Sequence, residues 1–203
     1  MMKYGLALHT TSSQLGLAIS NFETETRSQG WDLGRELSNV LHQHLADFIS
    51  PQTWNAIAFI AVAKGPGSFT STRIGLVTAR TLGQQLKIPV FAFSSLAIFA
   101  WSIRDQVRIN QLIPVQMSAT KDQIYGAVYQ ISEQGKLITI LPDVLLEPEQ
   151  WQEKLACFDP AQKIFITPDN LGDNVSDLLS LAYQDWQAEI RPVWSEALPF
   201  YGM

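Results

Sequence analysis

Residues 56–63, Ala-Ile-Ala-Phe-Ile-Ala-Val-Ala, are continuously apolar and end at Lys64-Gly-Pro-Gly67. A run this short, closed by a glycine and proline turn, is read as a strand buried on both faces. Such a strand is central in its sheet, with a covering layer on each side. The rest of the chain must supply those layers.

The flanking sequence does so in a recognisable order. Tyr4, Leu6 and Leu8, then Leu15, Leu17 and Ile19, alternate around the polar stretch Thr10 to Gln14 and predict a β-hairpin. A third strand is expected around Thr24 to Trp31. Leu37, Val40, Leu41, His44, Leu45 and Phe48 follow helical spacing and predict a helix from Gly34 to Ile49, before Pro51. After the apolar strand, a second helix is expected over Thr72 to Leu86, a buried strand over Ile88 to Phe93, and a third helix capped by Ser94 or Ser95. The second half repeats the theme. Strands are expected at Leu112 to Met117, Gln123 to Ile131 and Lys136 to Leu145, then a helix from Pro148, a strand at Lys163 to Thr167 and a helix from Asp173 to Trp186. The doubled order predicts two lobes, residues 1–103 and a smaller, acidic 104–203, with the boundary in the polar stretch 102–111.

Composition narrows the function. The chain has 203 residues and a formal charge of −5, with seven basic against five acidic residues up to position 100 and seven against fourteen after it. That balance argues against gripping nucleic acid through an overall positive field. Cys157 is the sole cysteine, which excludes an intrachain disulfide and a cysteine zinc site and fits a reducing compartment; it is expected as a small packed residue. No apolar run approaches a membrane span and the N-terminus lacks a signal-peptide core, so a cytoplasmic location is expected.

The segment with the most chemical content is Lys64-Gly-Pro-Gly-Ser-Phe-Thr-Ser-Thr-Arg-Ile-Gly75. Its turn leads into a helix N-terminus, where free N–H groups can meet an anion, but the Walker pattern fails for want of its lysine. Along the following helix Ser71, Gly75, Ala79 and Gly83 recur every fourth residue. This ridge of small side chains permits close helix approach, and it is assigned to an interface because Ile74, Val77, Thr78, Thr81 and Leu82 on the other flank can face the sheet. No metal site is assembled from the histidines: His42 and His44 point to opposite sides of a helix. His44 is expected in the core or an interface, and His9 at a solvated strand end, with contact to a ligand as the alternative. Asp159, Asp169, Asp173 and Asp177 read as caps and solubilising charge, and no nucleophilic triad can be assembled.

Gly65-Pro-Gly-Ser-Phe-Thr70 with Arg73-Ile-Gly75, directly after a buried strand, resembles the TsaB (YeaZ) family of bacterial tRNA threonylcarbamoyladenosine biosynthesis proteins. The resemblance runs on through Ile88 to Ser95, Gln123-Ile-Tyr125 and Pro192-Val-Trp194. It implies an actin-like, sugar-kinase-like (ASKHA) α/β fold of two ribonuclease-H-like lobes. It also implies a non-catalytic subunit that pairs with and activates TsaD. That paralogue holds a metal and transfers a threonylcarbamoyl group from its adenylate to the adenine just after the anticodon. A TsaE-like ATPase joins the pair, so ATP and metal belong to the partners, no cofactor is expected in this chain and its tRNA contact is indirect. The chain lacks the H-x-x-x-H of TsaD.

Carried onto this sequence, the family's pairing surface with TsaD, or with a second copy of the chain, falls on the helices Gly34 to Ile49 and Thr72 to Leu86. Leu37, Val40, Leu41, His44, Ser71, Gly75, Ala79 and Gly83 are its expected contacts. Four places depart from the family pattern: His9-Thr10 for Asp-Thr, Leu37-Ser38 for His-Ser, Ser71-Thr72 for a glycine and a variable residue, and Ser118-Ala119-Thr120 for Asp-Ala-Arg. These departures lower the expectation of independent nucleotide binding. The competing reading is an independent actin-like-fold ATPase or kinase that uses the Gly65 to Thr70 turn for phosphate.

Overall fold

A computed structural model describes residues 3–158 and 163–200. They divide into two compact units, one holding the residues up to Ser95 together with Asp169–Phe200, the other holding Leu96–Pro168.

The first unit is built on a five-stranded sheet. Strands β1 (Tyr4–His9), β2 (Gln14–Ser20) and β3 (Thr26–Asp32) form an antiparallel meander, while β4 (Ile57–Ala63) and β5 (Val90–Phe93) run parallel to β1, in the order β3-β2-β1-β4-β5. The expected hairpin is present in the register Leu6↔Ile19 and Leu8↔Leu17. Its second turn is built by Asn21, whose side-chain oxygen accepts the amides of Glu23, Thr24 and Glu25 at 2.9–3.0 Å. All seven residues of β4 are buried, as its composition requires.

One face of this sheet packs on α1 (Leu37–Ile49) and α2 (Phe69–Leu86). Leu37, Leu41, Leu45 and Phe48 of α1 and Leu76 and Ala79 of α2 join Leu6, Leu8, Leu17 and Ile60 in a single core. Helix α2 starts three residues earlier than expected, because the Ser68 side chain caps it by accepting the Ser71 amide. The opposite face is covered by α5 (Val175–Gln187), which buries Leu178, Leu179, Leu181 and Ala182 and packs on β1, β2 and β4. The two expected lobes, 1–103 and 104–203, are therefore not the units observed. The chain returns after residue 168 because the small side of β1, Gly5 and Ala7, and Phe59 of β4 need an apolar cover, and α5 provides it.

The second unit has a four-stranded sheet, β6 (Leu112–Ser118), β7 (Ile124–Ile131), β8 (Leu137–Leu146) and β9 (Phe165–Ile166), in the order β8-β7-β6-β9. Three antiparallel strands followed by a parallel fourth repeat the pattern of the first sheet. This unit also holds α4 (Pro148–Ala156) and most of α3 (Ser95–Ser102). Trp151 of α4 is fully buried beside Val128, and its indole N–H donates to Gln116 Oε1 at 3.0 Å. Glu147 and Gln150 cap the start of α4 reciprocally.

Candidate functional site

The turn after β4 is held by its own chain. The Ser68 amide donates to the Thr11 carbonyl at 2.7 Å, the Ser95 amide to the Gly65 carbonyl at 2.8 Å, and Ser95 Oγ–H to Thr11 Oγ1 at 3.0 Å. Gly67, at φ +153°, is so close to the β1–β2 turn that a β-carbon would run into the Thr11 carbonyl. Its glycine thus serves close approach of two backbone segments, and the Ser68 and Ser71 amides at the start of α2 are engaged with neighbours. Gly65, Pro66, Gly67, Ser68, Phe69, Thr70 and Arg73 do lie together, as the rim where β4 hands over to α2. The phosphate reading draws no support from this arrangement.

The small ridge of α2 faces inward. Gly75, Ala79 and Gly83 are buried, Ala79 completely. A β-carbon on Gly75 would collide with Thr10 Oγ1, and one on Gly83 with a methyl of Val90, so these glycines let α2 lie against the ends of β1 and β5. Ser71 is half-buried, and its carbonyl accepts the Thr10 hydroxyl at 2.9 Å. The ridge is consequently an internal contact, which corrects its assignment to a partner surface. The two flanks of α2 are thus the reverse of the sequence expectation, since either can satisfy an apolar neighbour and helical spacing alone does not say which does.

The other flank forms the open site. Ile74, Val77, Thr78, Thr81 and Leu82 of α2, with Ser38, His42 and Leu45 of α1 and with Trp54 and Arg73, line a groove of about 620 Å³ between the two helices. Val77 is 61% exposed, a large fraction for a valine in mid-helix. The guanidinium of Arg73, at the groove's edge, lies 3.7 Å from the ring centre of exposed Phe69 at the helix start. On α1 the expected contacts move accordingly. Leu37 and Leu41 are core residues. Val40 and His44 are half-buried, with the His44 ring 4.8 Å from that of Trp31 on β3. Ser38 and His42 are the residues that face the groove. Their polarity hid them, and only the one-turn spacing of two exposed positions could have pointed to them.

Other expectations resolve one by one. His9 is not a solvated strand end. It is fully buried, its Nδ1 lies 3.5 Å from Thr11 Oγ1, and its Nε2 meets no partner among the described residues. Burial pushes its pKa down to about 3, so the imidazole is neutral. Cys157 is exposed rather than packed, because it follows the last buried position of α4, Leu155. Asp173 accepts the Gln14 side-chain amide at 2.9 Å, and Asp159 lies outside the described residues. Among the described residues no helix is long and apolar enough to cross a membrane, and no three His, Cys, Asp or Glu side chains gather as a metal site would require.

The doubled sheet order and the helix layers define an actin-like, sugar-kinase-like protein of two ribonuclease-H-like lobes. Comparison with known proteins carries this further. The profile of the family described as "TsaD: tRNA N6-adenosine threonylcarbamoyltransferase" matches residues 36–164. The tRNA threonylcarbamoyladenosine biosynthesis protein TsaB of Bacillus subtilis is 34% identical over 155 residues, covering 74% of this chain and 65% of that protein. TsaB of Escherichia coli is 31% identical over 104 residues, 50% of this chain and 42% of the relative. A crystal structure of an uncharacterized Pseudomonas aeruginosa protein, described as similar to peptidase YeaZ, superposes over the whole of both chains with a TM-score of 0.83 at 25% identity. The chain belongs to this threonylcarbamoyltransferase-related family, within its TsaB (YeaZ) group. The matched part of the chain spans 65% of the Bacillus relative and less than half of the Escherichia one.

Proposed function

We propose that this chain is the non-catalytic subunit of a cytoplasmic tRNA threonylcarbamoyladenosine-forming complex, and that it pairs with and activates a TsaD-like transferase through the groove between α1 and α2. The observation that carries this reading is the groove itself, an apolar surface exposing Val77, Ile74 and Leu82 beside His42 and Arg73. Exposed apolar area of this kind, with a polar rim, favours a protein partner. The match to the TsaD profile and the names of the curated relatives support the choice of partner. In this reading ATP and metal belong to the TsaD-like and TsaE-like subunits, and the tRNA is held mainly by them. When alone, the chain pairs with a second copy through the same groove.

The test is co-purification with the cognate TsaD-like protein, comparing the parent with Val77→Arg. The parent forms a complex at micromolar concentration and the variant loses it while keeping its fold. Absence of any complex between two folded partners refutes the pairing. Calorimetric titration of the isolated chain with ATP and magnesium addresses the rival reading. Tight binding with turnover would establish an independent ATPase and overturn the accessory role.

A further inference from the structure

Helix α2 carries charge of one sign only. Between Asp47 and Asp105 the sequence holds no acidic residue, and α2 with its C-terminal cap brings Arg73, Arg80 and Lys87 at every seventh position. Seven residues are close to two helical turns, so these cations recur along one side of the helix, about 10 Å apart. That side adjoins exposed Val77 on the border of the groove, and Arg73 lines the groove itself. No acid stands three or four positions from any of the three, so the helix gains no internal ion pair from them. Among the described residues Arg80 and Lys87 meet no carboxylate within ion-pair distance. The Arg80 guanidinium sits 5.7 Å from the ring centre of Trp194, and Lys87 is exposed in the left-handed conformation that ends the helix.

Across the groove, α1 offers only Ser38, His42 and Leu45. The acids near its two ends, Glu36 and Asp47, lie outside the groove and accept the side-chain amides of Asn39 at 3.1 Å and Gln43 at 2.8 Å. The groove is therefore an apolar floor with cations along one border and no carboxylate in its lining. Given pairing through this groove, we propose that the partner fills it with an acidic amphipathic helix. The apolar side of that helix covers Ile74, Val77 and Leu82, and its carboxylates, about 10 Å apart, face Arg80 and Lys87. A sparse single row of cations beside an apolar floor favours a protein segment over a nucleic-acid backbone, which presents phosphates more densely and covers no apolar surface.

The test uses the full chain and the cognate TsaD-like protein, with affinity and association rate measured by biolayer interferometry at about 50 and about 500 mM salt. The parent is expected to bind about tenfold more weakly at the higher salt, with the loss mainly in the association rate. Arg80→Glu combined with Lys87→Glu should weaken binding about thirtyfold at the lower salt and remove the salt dependence, with unchanged circular dichroism. Gln84→Glu is an exposed change that places an acid one turn from both cations. It should weaken binding about fivefold, and it carries the test should the double reversal misfold. Undiminished affinity of the folded charge variants, or parent binding indifferent to salt, overturns the acidic helix and leaves the groove pairing in place. Charge variants that keep the complex but no longer retain added tRNA would assign the row to nucleic acid and likewise overturn the proposal. Absence of any complex with the parent overturns both the acidic helix and the pairing itself.

Discussion

Of the residues at which the chain departs from the family pattern implied by the resemblance, His9 and Leu37 are buried, Ser71 is half-buried and Ser118 is exposed. His9 replaces an acid at the end of β1 and is fully enclosed and neutral, with its pKa at about 3 against an ordinary value near 6.5. As pH falls below about 6.5 the unfolded chain takes up a proton that the folded chain refuses. Stability is therefore lost progressively down toward the folded pKa, by about 2 to 3 kcal/mol at pH ~4.5. His9→Gln does not titrate, so urea unfolding at neutral and acid pH should show a shallower pH dependence than the parent; parallel slopes would exclude this account. Gly75 and Gly83 hold α2 close to the sheet. Gly75→Ala forces a methyl toward Thr10 and is expected to cost about 1 to 3 kcal/mol. The exposed Gln84→Ala is a suitable control, and a Gly75→Ala protein as stable as the parent would mean that α2 sits farther from the sheet.

Helices α1 and α2 each turn one face to the sheet and another to the groove, the groove face being largely apolar on α2 and carrying the polar Ser38 and His42 on α1. Val77→Arg alters only the outer face, since Val77 is 61% exposed, and should change stability by less than ~0.5 kcal/mol while abolishing partner binding. The position of α1 is fixed at its end by Arg27 of β3, whose Nη2 donates to the carbonyls of Phe48, Ile49 and Ser50 at 2.6–3.2 Å. Three carbonyls left open at a helix terminus find a single charged donor there. Arg27→Ala should lower stability by about 1 to 3 kcal/mol and loosen the groove, read as faster hydrogen exchange at the end of α1. An unchanged exchange pattern would remove that role from Arg27.

These elements also mark what the sequence could reveal. Large side chains alternating with small ones in β1 and β2, both buried throughout, and the unbroken apolar run of β4 announced their strands. The turn at Gly65 to Thr70 was equally legible as a family motif. Orientation was not. The small residues of α2 fit a close neighbour, but the sequence does not say whether that neighbour is the chain's own sheet or another protein. His42 and Ser38, exposed polar residues, gave no signal beyond their one-turn spacing. Nor could the pattern place α5, whose apolar stripe would suit either sheet; that choice depends on which sheet has a face of small residues to cover.

For the whole molecule, the return of α5 changes the meaning of the charge. By sequence the first half is weakly basic and the second strongly acidic, but α5 and its neighbours bring six acidic residues and one basic one back to the first unit. The first unit then carries eight basic and eleven acidic residues and the second six and eight. Both are mildly acidic, and neither offers the dense positive field that holds tRNA phosphates. An accessory role, with the tRNA gripped by a partner, fits that distribution. The direct measurement is reconstitution of tRNA threonylcarbamoylation from the cognate TsaD-like and TsaE-like proteins and the threonylcarbamoyl-adenylate donor. It compares no added chain, the parent chain and Val77→Arg. Modified tRNA should form at least tenfold faster with the parent than with no chain or with Val77→Arg; equally fast formation without the chain would contradict the proposed role.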